Sequence, residues 1–240
     1  MHAERVSYRA DGLAMDGQFY CEPGGAPRPG VLVFPDAFGL GKHALSRAER
    51  LAGLGFAALA CDLHGERRVF GDLDEARKLI SVLRGDVSRT RARALGGLQA
   101  LQARTEVDPG RIAAIGYCFG GSMALELARS GAALAATVGF HSGLATTAPE
   151  DAKNIRGRVL VCIGADDPGI PLEQRNGFEA EMRSAKVHWQ MTLFGGVVHS
   201  FTDPEADRLG RPEFARYDAT ADARSWQQMC ALFSEVFGPH

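Results

Sequence analysis

The chain has 240 residues, 45% of them hydrophobic, and a formal net charge of −2, which fits one large α/β unit and excludes the concentrated positive face of a nucleic-acid binder. Its cysteines (Cys21, Cys61, Cys118, Cys162 and Cys230) are odd in number and form no CxxC pair, which argues against a disulfide framework and against a zinc site. Met1 to Val6 lack the apolar core of a secretory signal, and no stretch approaches the roughly 18 apolar residues of a membrane span, so a soluble protein of the reducing cytoplasm, with no membrane partner, is expected.

Along the chain, Val6–Arg9 and Met15–Tyr20 flank the turn Asp11-Gly12 and read as an antiparallel hairpin at a sheet edge. Val31–Phe34, between Pro29-Gly30 and Pro35, is the first buried strand. A helix over His43–Leu54 ends at Gly55, a suitable C-cap, and Phe56–Cys61 returns to strand. The segment His64–Leu73 is the least regular and is expected to loop above the sheet. Asp86–Arg104 is a long helix rich in Ala, Leu and Arg. Strand Ile112–Tyr117 runs directly into helix Phe119–Arg129. Strands follow at Ala135–Phe140 and Val159–Ile163, then a helix over Pro171–Ser184 that opens on proline. A strand over His188–Phe194 and a helix over Ala219–Phe237 close the chain. Near-continuous apolar strands are those covered on both faces. A hairpin followed by repeated β-α units predicts an open, mostly parallel central sheet with helices on both faces. No repeat or linker divides it, so residues 1–240 are expected to form a single domain.

The most informative segment is Gly116-Tyr117-Cys118-Phe119-Gly120-Gly121, between a strand and a helix. This is the pattern of a nucleophile elbow, with cysteine where serine is commoner. Bulky residues beside the nucleophile would collide in so tight a turn, hence Gly116 and Gly120. The thiol then stands at a helix N-terminus, whose dipole favours thiolate. Free cysteines are otherwise mostly packing residues, the reading that suits Cys61, Cys162 and Cys230.

A thiolate nucleophile needs a base and an orienting acid, which follow in the order acid, then histidine. Asp166 in Gly164-Ala165-Asp166-Asp167 and His199 in Val198-His199-Ser200-Phe201 both lie just past predicted strands, at the rim where open α/β sheets place their sites. Motif position favours Asp166; the neighbouring Asp167 is able to take the same role. Among the other histidines, His2 and His240 are terminal, and His43 and His188 open elements. His64 and His141 follow strands on the site rim and are candidate pocket residues, although no ligand-spacing motif makes them a metal site. The oxyanion hole requires two backbone N–H groups, one from Phe119 and one from the loop Pro35-Asp36-Ala37-Phe38-Gly39, with Ala37 the candidate donor.

Taken together, Pro35-Asp36-Ala37-Phe38-Gly39, Gly116-Tyr117-Cys118-Phe119-Gly120-Gly121, Gly164-Ala165-Asp166-Asp167 and His199-Ser200-Phe201 resemble the dienelactone hydrolase family over nearly the whole chain. The resemblance implies an α/β-hydrolase fold. It also implies cleavage of a small ester, lactone or thioester through a thioester intermediate, by a Cys-His-Asp triad without cofactor or metal. In that family a glutamate beside the oxyanion loop pairs with the resting thiol; the matching residue here is Asp36, one methylene shorter. The family arginine that follows the histidine and grips the substrate carboxylate is replaced by the run Ser200-Phe201-Thr202-Asp203. Dienelactone itself is therefore not the expected substrate, and Arg67 and Arg68 become candidate anion binders. Phe38, Tyr117 and Phe201 are candidate apolar walls, and the Arg208–Tyr217 segment is expected to help shape the pocket. The competing class is a non-catalytic, redox-responsive protein that keeps the pocket and an oxidisable thiolate.

Overall fold

Alternation along the third strand sets the layering of the molecule. In the computed structural model, which describes residues 1–238 and so leaves His240 outside, β3 (Arg28–Phe34) directs Val31 and Val33 to one face and Leu32 and Phe34 to the other. β5 (Val107–Tyr117) repeats the division, with Ala113 and Ile115 opposite Ile112 and Ala114. Successive side chains of a strand point to opposite faces, so both faces of such a sheet must be covered.

Helices cover them. α1 (Lys42–Ala52) and α6 (Ala219–Phe237) close one face through Ala48, Leu51, Trp226 and Phe233. α3 (Val87–Gln102) and α4 (Phe119–Arg129) close the other through Leu98, Met123 and Leu127. α5 (Leu172–Ser184) packs Phe178 and Met182 against Val159, Val161 and Ile163 of β7 (Arg158–Gly164). The remaining strands are β1 (His2–Ala10), β2 (Leu13–Cys21), β4 (Ala57–Ala60), β6 (Ala136–Phe140) and β8 (Trp189–Phe194).

The eight strands run in the order β1-β2-β4-β3-β5-β6-β7-β8. β1 and β2 are antiparallel, β2 is antiparallel to β4, and every pair from β4 to β8 is parallel. This is the mostly parallel α/β-hydrolase architecture with an N-terminal hairpin that the sequence predicts. The hairpin turn has positive φ at both Asp11 (49°) and Gly12 (72°), as a two-residue type I′ turn requires. Parallel pairing brings the carboxyl ends of β3, β5, β7 and β8 to one rim. Among the described residues, no helix is long and apolar enough to cross a membrane.

One helix has no counterpart in the sequence reading. α2 (Leu73–Gly85) is capped by Asp72, whose carboxylate accepts the N–H groups of Asp74 and Glu75. It buries Ala76, Ile80 and Leu83 at helical spacing but leaves Leu79 and Val82 exposed. Apolar residues on the outer face blur the periodicity by which an amphipathic helix is read. Asp86 then caps α3 in the same way, through Ser88 and Arg89.

A buried cation fixes the loop after β6. Arg129, only 1% exposed, bonds Glu181 on α5 (2.7 and 2.8 Å), Glu126 on its own helix (2.9 Å) and the carbonyl oxygen of Leu144 (3.1 Å). Removing one member of such a network leaves an unpaired buried charge, at a cost of about 3–5 kcal/mol. Arg129→Ala is expected to lose about that much stability in urea denaturation, whereas Arg183→Ala, which breaks an exposed pair with Glu179, is expected to change it by less than about 1 kcal/mol.

Candidate active site

The site begins where β5 turns into α4. Cys118 occupies that turn with φ 54° and ψ −120°, a left-handed conformation that costs a non-glycine residue free energy. The surrounding backbone leaves no room for alternatives. A Cβ on Gly116 would stand 2.1 Å from the Gly120 carbonyl oxygen, and one on Gly120 would stand 2.2 Å from that of Pro35 and 2.3 Å from that of Phe34. Both glycines are thus needed for close approach, as the motif implies. The thiol is partly exposed and stands at the amino end of α4, where the orphan N–H groups of a helix converge.

His199 reaches the same point from the loop after β8. Its backbone is held by Phe214, whose carbonyl oxygen accepts the His199 N–H (3.0 Å), and by Arg216, whose N–H donates to the His199 carbonyl (3.1 Å). The ring stacks on Phe214 at 5.4 Å between centroids. Its Nδ1 bonds Asp167 Oδ2 at 2.6 Å. The carboxylate on this histidine is therefore that of Asp167, and the expectation of Asp166 is corrected. The reason is local: the turn after β7 buries Asp167, whose Oδ1 also accepts the Gly169 N–H (2.8 Å). Asp166 points its side chain to solvent and contributes only a backbone N–H, to the Val197 carbonyl.

Electrostatics tie the thiol to the imidazole. Burial works to raise the Cys118 thiol, but the charge and hydrogen bond of His199 outweigh it and hold the thiol below its ordinary value. Burial likewise opposes a proton on His199, and Cys118 together with Asp167 overcomes it, raising that group to about 10. The arrangement favours thiolate and imidazolium facing each other, a pairing known to activate cysteine.

Asp36, expected as the acid that pairs with the thiol, is turned elsewhere. Its Oδ1 accepts the N–H of Phe38 (2.8 Å) within its own loop. Burial, with the nearby Asp203 carboxylate, raises it to about 6. Among the described residues Asp36 makes no hydrogen bond to the Cys118 thiol, on which its charge acts to raise the pKa while His199 lowers it. Ala37 sits beside it, 4% exposed, with its carbonyl held from behind by His64 Nε2 (2.9 Å). The Ala37 N–H has no hydrogen-bond partner among the described residues, and that of Phe119 opens α4, so both are free to serve as donors.

A cavity of about 440 Å³ lies over Cys118 and His199, with Asp36, Ala37, Phe38 and Phe214 among its walls. A second of about 250 Å³ lies over Phe119 and Ser122 and shares Arg84, Gly143 and Gly169 with the first. Phe38 thus lines the pocket as expected, as do Arg208 and Phe214 of the Arg208–Tyr217 segment; His64, Arg67, Arg68, Tyr117, His141 and Phe201 do not. His64 backs the Ala37 loop. Arg67 bonds Gln18 (3.2 Å), and Arg68 bonds the His64 carbonyl (2.9 Å). Tyr117 precedes the nucleophile on its strand, so it points to the opposite face and stacks on Phe140. Phe201 is fully buried edge-on to His141, which lies beneath Cys118.

The cations of the pocket are instead Arg77, Arg84 and Arg208. Arg77 and Arg84 lie on α2, the helix the sequence reading lacks. Arg77 pairs with Asp74 and Arg208 with Glu205, whereas Arg84 has no carboxylate partner among the described residues and lies 5.7 Å from the Phe119 ring.

The chain is similar to known proteins. Residues 16–237 match the model of the dienelactone hydrolase family. A carboxymethylenebutenolidase of Pseudomonas sp. is 29% identical over 95% of both chains. The crystal structure of a dienelactone hydrolase-like promiscuous phosphotriesterase from metagenomic libraries shares 50% identity over 99% of both chains, with a TM-score of 0.93. The dienelactone hydrolase of Anabaena variabilis, at 19% identity, shares the fold, with a TM-score of 0.67 over 95% of this chain and 97% of its own. With its sheet and nearly its whole length accounted for in this way, the chain is a hydrolase belonging to the dienelactone hydrolase family.

Proposed function

We propose that this hydrolase cleaves small carboxylic esters, lactones or thioesters through an acyl-cysteine on Cys118, with His199 as base and Asp167 as its orienter. The observation that carries the reading is the imidazole of His199, held by Asp167 at 2.6 Å and facing the same cavity as the Cys118 thiol, which it holds below its ordinary pKa. In the first half-reaction the thiolate attacks the carbonyl carbon, and the oxyanion is received by the Ala37 and Phe119 N–H groups. The tetrahedral species collapses as His199 gives its proton to the departing oxygen, leaving the thioester. Water, deprotonated by His199, then attacks that thioester; the C–S bond breaks and the thiolate returns with the imidazolium. A thiolate needs a reducing setting to persist, and we assign the enzyme to the cytoplasm.

The two cavities divide the substrate. The leaving group must face His199, which protonates it, and therefore occupies the larger cavity. The acyl group is directed past Gly143 into the smaller one. The Pseudomonas relative is named for a butenolide, and a small lactone of that kind fits the same arrangement. The metagenomic neighbour supports a second, promiscuous substrate class, phosphotriesters. There the same thiolate attacks phosphorus, a P–S bond forms, the P–O bond to the aryl group breaks, and water later releases the phosphodiester.

Cys118→Ala is expected to abolish hydrolysis of both p-nitrophenyl acetate and a p-nitrophenyl phosphotriester while leaving the circular dichroism spectrum unchanged. Ester turnover persisting in that variant would end the proposal; loss of it also removes a thiol that serves only as an oxidation sensor. Asp167→Asn is expected to lower kcat by about 10²–10⁴-fold, because the amide no longer holds the tautomer that presents Nε2 to the thiol. Asp166→Asn serves as the matched control, with kcat expected within about 3-fold of the parent, since Asp166 faces solvent. A Cβ on Gly143 would lie 3.0 Å from Ser122 Oγ and 3.9 Å from Arg84 Nη2. Gly143→Val is therefore expected to narrow the acyl compartment, lowering kcat/KM for p-nitrophenyl hexanoate at least roughly tenfold relative to the acetate. An unchanged chain-length profile would place the acyl group elsewhere.

A further inference from the structure

Two histidines with no part in the steps above form a continuous chain beneath the nucleophile. The Cys118 backbone N–H points at the carbonyl oxygen of Phe140 (3.0 Å) and at Nδ1 of His141 (3.2 Å). Since an N–H donates there, His141 Nδ1 carries a lone pair, and its proton is on Nε2. Nε2–H donates to Thr202 Oγ1 at 2.8 Å. The Thr202 hydroxyl in turn lies 3.3 Å from His43 Nε2, and Arg47 Nε–H donates to that same nitrogen at 3.3 Å. His43 Nε2 is thus an acceptor for both. Its 3.1 Å approach to the Thr202 carbonyl oxygen is a contact between two acceptors, bridged by Arg47 Nη2, which donates to that oxygen at 2.5 Å. Arg47 finally bonds Asp222 at 2.9 Å, and both residues are buried.

Donation runs outward from the Cys118 amide through His141 and Thr202 to His43 Nε2, where Arg47, itself anchored on Asp222, donates from the other side. Every hydrogen on it is assigned by its neighbours, so the tautomer of His141 is fixed at a distance. Burial, reinforced by the neighbouring cations, holds His43 down to about 3 and His141 well below its ordinary value, in keeping with two neutral rings. His141 is 1% exposed and itself left-handed, with φ 40°. It meets His199 edge to face at 5.1 Å.

We propose that His141 is a positioning residue: its Nδ1 lone pair, oriented through Thr202, His43 and Arg47, holds Cys118 in the strained turn that aims the sulfur at His199. The proposal rests on Cys118 being the nucleophile and goes beyond it. The strain at Cys118 is local, and a strained residue keeps its conformation only where its surroundings over-determine it. Without the Nδ1 acceptor the amide keeps one partner, the Phe140 carbonyl, and the turn is free to relax. A sulfur displaced by even about 1 Å from its reacting geometry loses on the order of 10²-fold in rate, while binding, which uses the cavity walls, is spared.

Two variants separate the acceptor from the backbone. Asparagine and glycine both tolerate a left-handed φ, but only asparagine places an acceptor oxygen where Nδ1 stands. His141→Asn is expected to keep kcat within about 5-fold of the parent. His141→Gly is expected to lose about 10–100-fold in kcat with KM changed by less than about 3-fold. In the glycine variant, the pH midpoint of iodoacetamide alkylation at Cys118 is expected to move upward, toward that of a free thiol. Thr202→Val leaves His141 in place and removes its orienting oxygen, so it carries the test if the glycine variant fails to fold. It is expected to show the same shift in the alkylation profile and a smaller loss in kcat. Equal losses in the asparagine and glycine variants, or an alkylation midpoint unmoved in both His141→Gly and Thr202→Val, would overturn the proposal. Because Cys118→Ala is measured beside them, an active alanine variant refutes the nucleophile itself, and a dead one with an unaffected glycine variant refutes only the role of His141.

Discussion

The close approach of the Gly120 backbone to the carbonyl oxygens of Phe34 and Pro35 is the constraint on which the rest of the site depends. It brings the end of β3 against the first turn of α4, with the strained Cys118 between them. From that one contact follow the position of the thiol at a helix N-terminus and the proximity of the Phe119 N–H to the Ala37 loop. It also explains why Ala37 and Phe119, which are far apart in the chain, become neighbours. The oxyanion loop is not an addition to the elbow; the same squeeze produces both. His64 braces the loop from behind by holding the Ala37 carbonyl.

The wider fold holds that squeeze from several directions. Parallel pairing of β3 with β5 and of β5 with β6 places the loop after each strand on one rim. The loop after β6 is pinned through Leu144 by Arg129, which also ties α4 to α5. The loop after β7 presses against that after β8, so closely that a Cβ on Gly164 would stand 2.4 Å from the Val197 carbonyl oxygen. Asp167 and His199 meet across that contact. Buried charge is expensive unless paired, and the buried pairs here join helices while also holding loop carbonyls, Arg129 that of Leu144 and Arg47 that of Thr202.

How much of this can be read from sequence alone differs from part to part, for physical reasons. The strands are legible because a doubly covered strand is a continuous apolar run bounded by Pro and Gly. The elbow is legible because sterics at Gly116 and Gly120 force the residue types. α2 is not, since Leu79 and Val82 on its outer face imitate a buried stripe. With it are lost Arg77 and Arg84, so the cations of the pocket fall instead on Arg67 and Arg68, whose loop turns them toward Gln18 and the His64 carbonyl. The choice between Asp166 and Asp167 is illegible for another reason. Adjacent residues in a turn diverge by the local φ and ψ, and nothing in two consecutive aspartates records which one the turn buries. Phe214 falls in the Arg208–Tyr217 segment expected at the pocket, but its stacking on His199 is illegible, because no periodicity reports orientation in an irregular segment.

The shortened acid at position 36 has a consequence for when the thiol is ready. A glutamate at that place has the reach to bond the sulfur, and such a bond keeps a resting thiol protonated until something displaces it. The aspartate has a nearer option, the N–H of Phe38, closed into a turn of its own loop. An Asx-type bond of this kind is local and needs little ordering beyond the loop itself. The sulfur is left to His199, whose ring is already held by Asp167 and Phe214. Asp36 still acts on the thiol, but through space, where its carboxylate opposes the thiolate. The carboxyl of Asp36 is itself raised by burial and by Asp203, which lessens the negative charge it presents. In the proposed mechanism, the short acid at position 36 thus leaves the readiness of the thiol to the orientation of the imidazole and of the strained backbone beneath it.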